Sequence, residues 1–353
     1  MSDYDSESEI RGDAQPQLHK TFGASNFRRR FSQWLLIALA IVLLPYAFFR
    51  LTSDGRKLIR CDLSEIEYDK ADATVEDAGD STKQKFCIAT WNIAHGRGSG
   101  DSNWKEGGNE KRKRVEKIAA EIVKFDADVV ILNEVDFSAT WSGGFDQAEL
   151  IAKKAGYPIC IKQANLDFGF IFGRWYFGNV ILSRLPVTDQ QVVELQPMAD
   201  WEAQVVGHKR GLSCTIEISP QHSLSIVGLH LESRGEAIRV KQIDDVARHA
   251  GQLTGPIVIA GDLNTTPSNF PNSQTDFSGV NAFDKLIEQT QFSYSPDSVI
   301  GTQSLTYSTI EPKLLIDWIL LSHELRLVKQ EIIDSQLSDH RPVVATIEFV
   351  SED

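Results

Sequence analysis

Pro256-Ile257-Val258-Ile259-Ala260-Gly261-Asp262-Leu263-Asn264 is the stretch on which the fold turns. Four apolar residues in a row, rich in β-branched side chains, run straight into glycine and then into two polar groups. A short apolar run bounded by turn residues reads as a buried strand. Ionisable groups at the end of such a strand are costly unless they are paired or bind something. Asp262 and Asn264 are two apart, so an extended backbone would point both the same way. One could orient a water molecule and the other hold a phosphate oxygen. A turn closed by Asx hydrogen bonds is the plainer reading of the same residues.

The pattern repeats along the chain. Asn92 follows the strand-like run 86–91, Glu134 ends 128–133, His230 ends 224–229, Asp317 begins 317–321, and Asp339 and His340 precede 342–349. Helical spacing appears at 114–125 and 236–253. Strands outnumber helices, and hairpins mix with crossovers, which argues against a simple parallel doubly wound sheet.

These residue types suit phosphoester chemistry. Carboxylates are hard oxygen ligands of the kind Mg²⁺ takes, one or two at a time, alongside water and substrate phosphate. Glu134 and Asp339 are the candidate ligands. His230 and His340 can donate to non-bridging phosphate oxygens. Asp317 can orient a histidine and fix its tautomer. Each residue alone has a plain structural reading; their joint occurrence is the signal.

Taken in order, Thr90-Trp91-Asn92-Ile93, Leu132-Asn133-Glu134-Val135-Asp136, Gly228-Leu229-His230-Leu231, Gly261-Asp262-Leu263-Asn264, Ile316-Asp317-Trp318-Ile319 and Ser338-Asp339-His340-Arg341-Pro342 resemble the successive motifs of the endonuclease/exonuclease/phosphatase superfamily. The resemblance covers roughly 86–349. It implies an α/β fold, a four-layer α/β/β/α sandwich with the site at one end of the packed sheets. It implies that Asn92, Glu134 and Asp339 form the metal site, with Mg²⁺ as cofactor and Mn²⁺ as its substitute. Asp262 then positions or activates the attacking water, Asn264 and His230 contact phosphate, and Asp317 pairs with His340. Arg210 is similar to a phosphate-contacting arginine of several members. Asn133 stands where glutamine is common, and strict alternation would turn it away from the metal, with little consequence.

The remaining sequence sets the domain plan: a disordered tail at 1–30, a transmembrane helix at 31–51, an acidic linker at 52–85 and the catalytic domain at 86–353. No residue from Phe31 to Phe49 is charged. As a helix this run is about 28 Å long, close to the ~30 Å hydrocarbon core. A cleaved signal peptide is the rival reading. The positive-inside count barely discriminates; we expect the large domain outside the cytoplasm.

The chain has 36 basic and 49 acidic residues, a net charge of −13, of which 86–353 carry −11. That excludes a global attraction to nucleic acid, although a local basic patch would still serve a nuclease. The substrate is expected to be a phosphoester of a lipid, nucleic acid or small molecule at or outside the membrane. No obligate protein partner is evident. The alternative of another class is a catalytically inactive, membrane-tethered binding module; it requires a missing catalytic group, and no matched position lacks one. None of the four cysteines is in a Cys-x-x-Cys pair; Cys87, Cys160 and Cys214 sit in apolar runs and read as buried free thiols, with disulfides the alternative. The glycine-rich loop 94–100 and the basic run 111–114 could cradle phosphate, or simply feed a helix. The aromatic stretch 168–177 could stack bases, contact lipid or, the plainer reading, pack the sheet edge.

Overall fold

The computed structural model describes residues 22–52, 57–63, 85–170, 173–200, 207–299 and 301–350. Residues 1–21 and 64–84, which hold most of the expected tail and acidic linker, lie outside the described residues, as do Ile171 and Phe172 of the aromatic stretch. The chain divides between Phe48 and Phe49 into two units. The first is carried by helix α1, Phe22–Thr52, with Pro45 inside it. Its segment Phe27–Ala47 is long and apolar enough to cross a membrane, and none of it is buried. A signal sequence would meet the same description.

In the second unit the described strands form two sheets. β1 (Leu58–Asp62), β2 (Lys85–Asn92), β3 (Val129–Asp136), β4 (Ile159–Phe170), β5 (Gly173–Ser183), β11 (Leu325–Ile332) and β12 (Val343–Phe349) build a seven-stranded sheet in the order β1-β4-β5-β3-β2-β12-β11. β6 (Val187–Glu194), β7 (Arg210–Ser219), β8 (His222–His230), β9 (Ile257–Asp262) and β10 (Asp317–Leu321) build the other, in the order β10-β9-β8-β7-β6. Among the described residues, four α-helices complete the unit: α2 (Gly108–Phe125), α3 (Gln147–Ala155), α4 (Glu236–Ala250) and α5 (Ala282–Thr290).

Alternation along the strands assigns the layers. Ile88, Val129, Ile131 and Ile181 face Leu212, Ile226, Val258, Ala260 and Ile319 in a core between the sheets. The opposite faces of β2 and β3, through Ala89, Trp91, Val130 and Leu132, pack on Val115, Ile118 and Ile122 of α2 and Ile151 of α3. The outer face of the five-stranded sheet, through Val227, Leu229, Ile257 and Ile259, packs on Ile243 and Val246 of α4 and Phe283 and Leu286 of α5. The expected four layers, α/β/β/α, are present. Each fully buried Ile or Leu contributes about 1.5–3 kcal/mol relative to exposure, so the inter-sheet core fixes how the strand ends meet.

One strand end differs from expectation. β3 does not stop at Glu134 but runs to Asp136. A register shift against β5 falls between Leu132 and Val135, and Glu134 is left-handed at φ 52°. A bulge adds one residue to a strand and re-aims its side chains. Asn133 therefore does not alternate away: both Asn133 and Glu134 reach the site.

Candidate functional site

The inner face that buries Ile226, Val258, Ala260 and Ile319 ends in polar residues. His230 pairs in register with Asp262, and Asp262 with Asp317. The three make one rung across β8, β9 and β10, all buried. The backbone here is built tightly. Gly261 has φ 141°, and a Cβ on it would sit 1.9 Å from the Leu229 carbonyl oxygen, so only glycine fits.

His340 closes the rung. Its Nδ1 lies 2.8 Å from Asp317 Oδ2 and its Nε2 3.8 Å from Asp262 Oδ2. Burial opposes the charged ring, but Asp317 and Asp262 outweigh it and push His340 up to about 10. Burial and the neighbouring Asp317 raise Asp262 to about 6, against the pull of His340 and Lys209. Asp262 Oδ2 accepts from Asn92 Nδ2 at 2.9 Å, and Oδ1 accepts from the Asn264 backbone N–H at 2.9 Å. Asp317 Oδ1 is buried with no hydrogen-bond partner among the described residues.

The expected common direction of Asp262 and Asn264 is not observed. Asn264 is left-handed at φ 51°, a conformation asparagine tolerates better than most residues. The pair forms the Asx turn, and Asn264 Nδ2 donates to the Leu231 carbonyl at 3.1 Å. Arg210 also departs from expectation. It is buried, its Nε bonds Glu194 at 3.0 Å, and its Nη1 bonds the Ala164 carbonyl at 3.2 Å. It ties β7 to β6 and β4, and it is the preceding residue, Lys209, that enters the site. Lys209 Nζ lies 2.6 Å from His230 Nε2 and 2.7 Å from the Leu231 carbonyl oxygen.

Glu134 and Asp339 form the facing wall. Arg97 bridges them, Nη1 to Glu134 Oε2 at 3.1 Å and Nη2 to Asp339 Oδ2 at 2.7 Å. Two carboxylates thus present oxygens to one cationic position. His95 lies between two carboxylates: its Nδ1 is 2.7 Å from Asp136 Oδ1 and its Nε2 3.3 Å from Glu134 Oε2. Burial would raise Glu134, but His95, Arg97 and Lys209 hold it well below the usual carboxylate range. The turn that delivers these groups is strained, with Ala94 at φ 49°, His95 at 53° and Gly96 at 69°. Non-glycine residues persist there only when surroundings over-determine them. His95 and Arg97 sit in the glycine-rich loop singled out above, yet their type alone did not mark them. Lys111 and Arg114 of the basic run instead hold backbone: Lys111 Nζ bonds the Asn103 carbonyl and Arg114 Nη1 the Gly96 carbonyl, both at 2.8 Å.

Two groupings offer ligands to a divalent cation. Asp262, Asp317 and His340 have ligand atoms within 4.8 Å of one another. His340, protonated, already supplies positive charge there. The Glu134–Asp339 pair has hard oxygens, already draws the Arg97 guanidinium, and has Asn92 nearby; it fits the ion better, and Asn92 Oδ1 meanwhile accepts from the Ala94 N–H at 3.0 Å. Beside this wall lies a cavity of about 290 Å³. Glu134, His95, His230 and Lys209 face it from the site, and Leu166, Phe177, Pro197 and Met198 supply its apolar side. Phe168 and Trp175 stack at 5.7 Å, in keeping with a packing role for the aromatic stretch.

Comparison with known proteins gives a consistent frame. The sequence profile of the Endonuclease/Exonuclease/phosphatase family matches residues 89–340. No curated protein matches the sequence. Among solved structures the chain is similar to an endonuclease/exonuclease/phosphatase from Bacteroides vulgatus, at 18% identity, 76% of this chain, 100% of that one and TM-score 0.58. One from Beutenbergia cavernae gives 22% identity, 75% and 72% coverage and TM-score 0.57. A mannosyl-6-phosphatase from Bacteroides thetaiotaomicron gives 13% identity, 75% and 100% coverage and TM-score 0.52. At these identities the likeness speaks for the fold.

Proposed function

The chain belongs to the endonuclease/exonuclease/phosphatase family, and from that premise we propose that it is a membrane-tethered, divalent-metal-dependent hydrolase of a small phosphoester. The observation that carries this reading is the rung His230–Asp262–Asp317, closed by His340, with Glu134 3.9 Å from His230 and joined to Asp339 through Arg97. Family members hydrolyse phosphoesters, which supports hydrolase activity here.

Glu134 and Asp339, with Asn92 beside them, would hold Mg²⁺ or Mn²⁺, which when bound neutralises phosphate charge and stabilises the leaving oxygen. The chain's own residues do the rest. Asp262, raised to about 6, is matched to accept a proton from water near neutral pH. The water oxygen bonds to phosphorus as the bond to the leaving oxygen breaks. His340, kept protonated by Asp317, donates from Nε2 to a non-bridging oxygen, where charge accumulates. Asn264 and His230 line the same wall.

The cavity supports a small substrate. At about 290 Å³ with one apolar wall, it is near the lower end of small-molecule pockets, roughly 300 Å³. The net charge of −11 over 86–353 further disfavours duplex nucleic acid. The test is a panel of sugar phosphates, p-nitrophenyl phosphate, bis(p-nitrophenyl) phosphate, sphingomyelin and plasmid DNA, with Mg²⁺ or Mn²⁺. Turnover of the small phosphoesters that His340→Ala abolishes supports the reading. No turnover of any of them, or full activity in His340→Ala, refutes it; a preference for plasmid DNA returns the nuclease alternative.

A further inference from the structure

We propose that Cys61 and Cys160 are a redox-active pair that closes into a disulfide and clamps β1, the strand that follows helix α1 in the chain, to the seven-stranded sheet. Neither residue lines the cleft, so the inference stands apart from the hydrolase reading.

β1 and β4 run antiparallel, and Cys61 stands directly opposite Cys160. Both side chains take the face that packs under α3. Cys160 is fully buried there, and Ile59, Cys61 and Leu63 lie against the same core. Cys61 Sγ is 3.7 Å from Glu149 Oε1 of α3. The other two cysteines have no such neighbour. Cys87 is on β2, with β5 and β3 between it and β4, and Cys214 packs in the core between the sheets. All four are free thiols in this structure.

The register also sets the character of the bond. The Lys57 carbonyl accepts from the Ala164 N–H at 2.9 Å, and the Pro158 carbonyl from the Leu63 N–H at 2.8 Å. Hydrogen-bonded pairs recur at every second residue, so Cys61 and Cys160 are one of them. The Cα atoms of such a pair are about 5.5 Å apart, within the range of a disulfide. Their Cβ atoms, also about 5.5 Å apart, must close by roughly 1 Å. β1 can give that much, since it is a five-residue edge strand bonded to a neighbouring strand on one side only. A bond closed against its register is more easily reduced than a relaxed one.

A small disulfide such as oxidised glutathione is the oxidant. The half-buried Cys61 attacks it as thiolate, forms a mixed disulfide and releases one glutathione. Burial raises Cys61, and Lys162 opposes that rise. Cys160 then attacks the Cys61 sulfur, and the bond to the second glutathione breaks. Both protons end on the two glutathione thiols, which carry the two electrons lost by the cysteines. The clamp reinforces ties that β1 already makes to β6 of the other sheet: Lys57 Nζ to Glu194 and Arg60 Nη1 to the Val187 carbonyl, both at 2.7 Å. β1 also lies outside residues 89–340, the part matched by the family profile. The bond therefore fastens a strand added to the family's core.

The experiment uses the full chain in detergent. Incubation with oxidised glutathione should lower the intact mass by about 2 Da, two hydrogens. Peptide mapping without reductant should show the Cys61 peptide joined to the Cys160 peptide. Millimolar reduced glutathione should reopen the bond without denaturant. Cys160→Ala should stop at the mixed disulfide on Cys61, and Cys61→Ser should leave Cys160 unmodified. Cys87→Ala with Cys214→Ala should form the bond as wild type does. After proteolytic cleavage within 64–84, the two fragments should stay joined on a non-reducing gel only in the oxidised protein. A wild type that forms no Cys61–Cys160 link, or that joins either cysteine to Cys87, Cys214 or a second chain, overturns the proposal and leaves the two thiols as packing residues. A link that reduced glutathione cannot open in the native protein overturns it as well, since the pair is then a permanent staple.

Discussion

Asn133 Oδ1 accepts the backbone N–H of Asp262 at 2.9 Å, which joins β3 of one sheet to the Asp262 end of β9 in the other. Asn133 Nδ2 in turn donates to Asn179 Oδ1 at 2.8 Å. Both ends of the carboxamide are used and the residue is fully buried. Asn133→Leu leaves the Asp262 N–H without an acceptor, at a cost of about 1–3 kcal/mol. A lowered melting temperature together with lowered turnover is expected. A variant as stable and active as the wild type would show that the bond does not position Asp262.

Arg97 bridges the two carboxylates that, in the proposed function, would hold a divalent ion. Arg97→Gln removes the guanidinium from between Glu134 and Asp339, so the metal-free protein should melt earlier than wild type. Mg²⁺ or Mn²⁺ should then restore the loss and bind more tightly than to wild type, because no resident cation has to yield. Glu134→Ala should abolish the metal-dependent rise in melting temperature. Equal metal affinity in wild type and Arg97→Gln, by calorimetry, would place the ion elsewhere.

The legible part of this site was the part built on strand ends. His230, Asp262 and Asp317 each stand at the end of an apolar run and His340 just before one, which is what marked them in the sequence. What alternation could not supply was the bulge that turns Asn133 and Glu134 toward the site together, or the left-handed step that swings Asn264 into an Asx turn. Arg210 against Lys209 is the sharpest case. The two are adjacent, both cationic, and separated only by the face each takes as β7 begins. His95 and Arg97 were hidden for another reason: they sit in a turn of left-handed residues, where no periodicity exists to read.

Thiol reactivity offers a pH-dependent check on the packing. Burial pushes Cys87 and Cys214 up to about 12. A raised pKa means less thiolate, and the thiolate is the reactive form. Against an ordinary value near 8.5, the thiolate fraction at pH 8 falls by roughly three orders of magnitude. Iodoacetamide at pH 8 should therefore spare Cys214 and Cys87 in the native protein and modify both in denaturant. Cys61, only partly buried, should be modified first. Mass spectrometry of the alkylated peptides reads the order; native labelling of Cys214 as fast as Cys61 would contradict this core.

Helix α1 separates an anchor from a cleaved leader. Its exposed apolar segment, Phe27–Ala47, spans about 30 Å at 1.5 Å per residue. The expected result is a chain of intact mass, 39.4 kDa, that stays with membranes through alkaline carbonate extraction. A shortened chain in the soluble fraction would identify the helix as a signal sequence.

In the mechanism proposed above, Asp317 acts on the reaction chiefly through His340. Its Oδ2 lies 2.8 Å from His340 Nδ1, so the carboxylate fixes which nitrogen faces the ring's other partner and keeps the ring charged. Asp317→Asn is nearly isosteric and removes only the charge. Loss of such an orienting partner costs about 10- to 100-fold. The loss is expected in kcat rather than in KM, since a proton donated where charge develops matters most in the transition state. His340→Ala should remove more, and Asp317→Asn in the His340→Ala background should remove nothing further. Additive losses in the double variant would mean that the two residues work independently, and the pairing would then be structural alone.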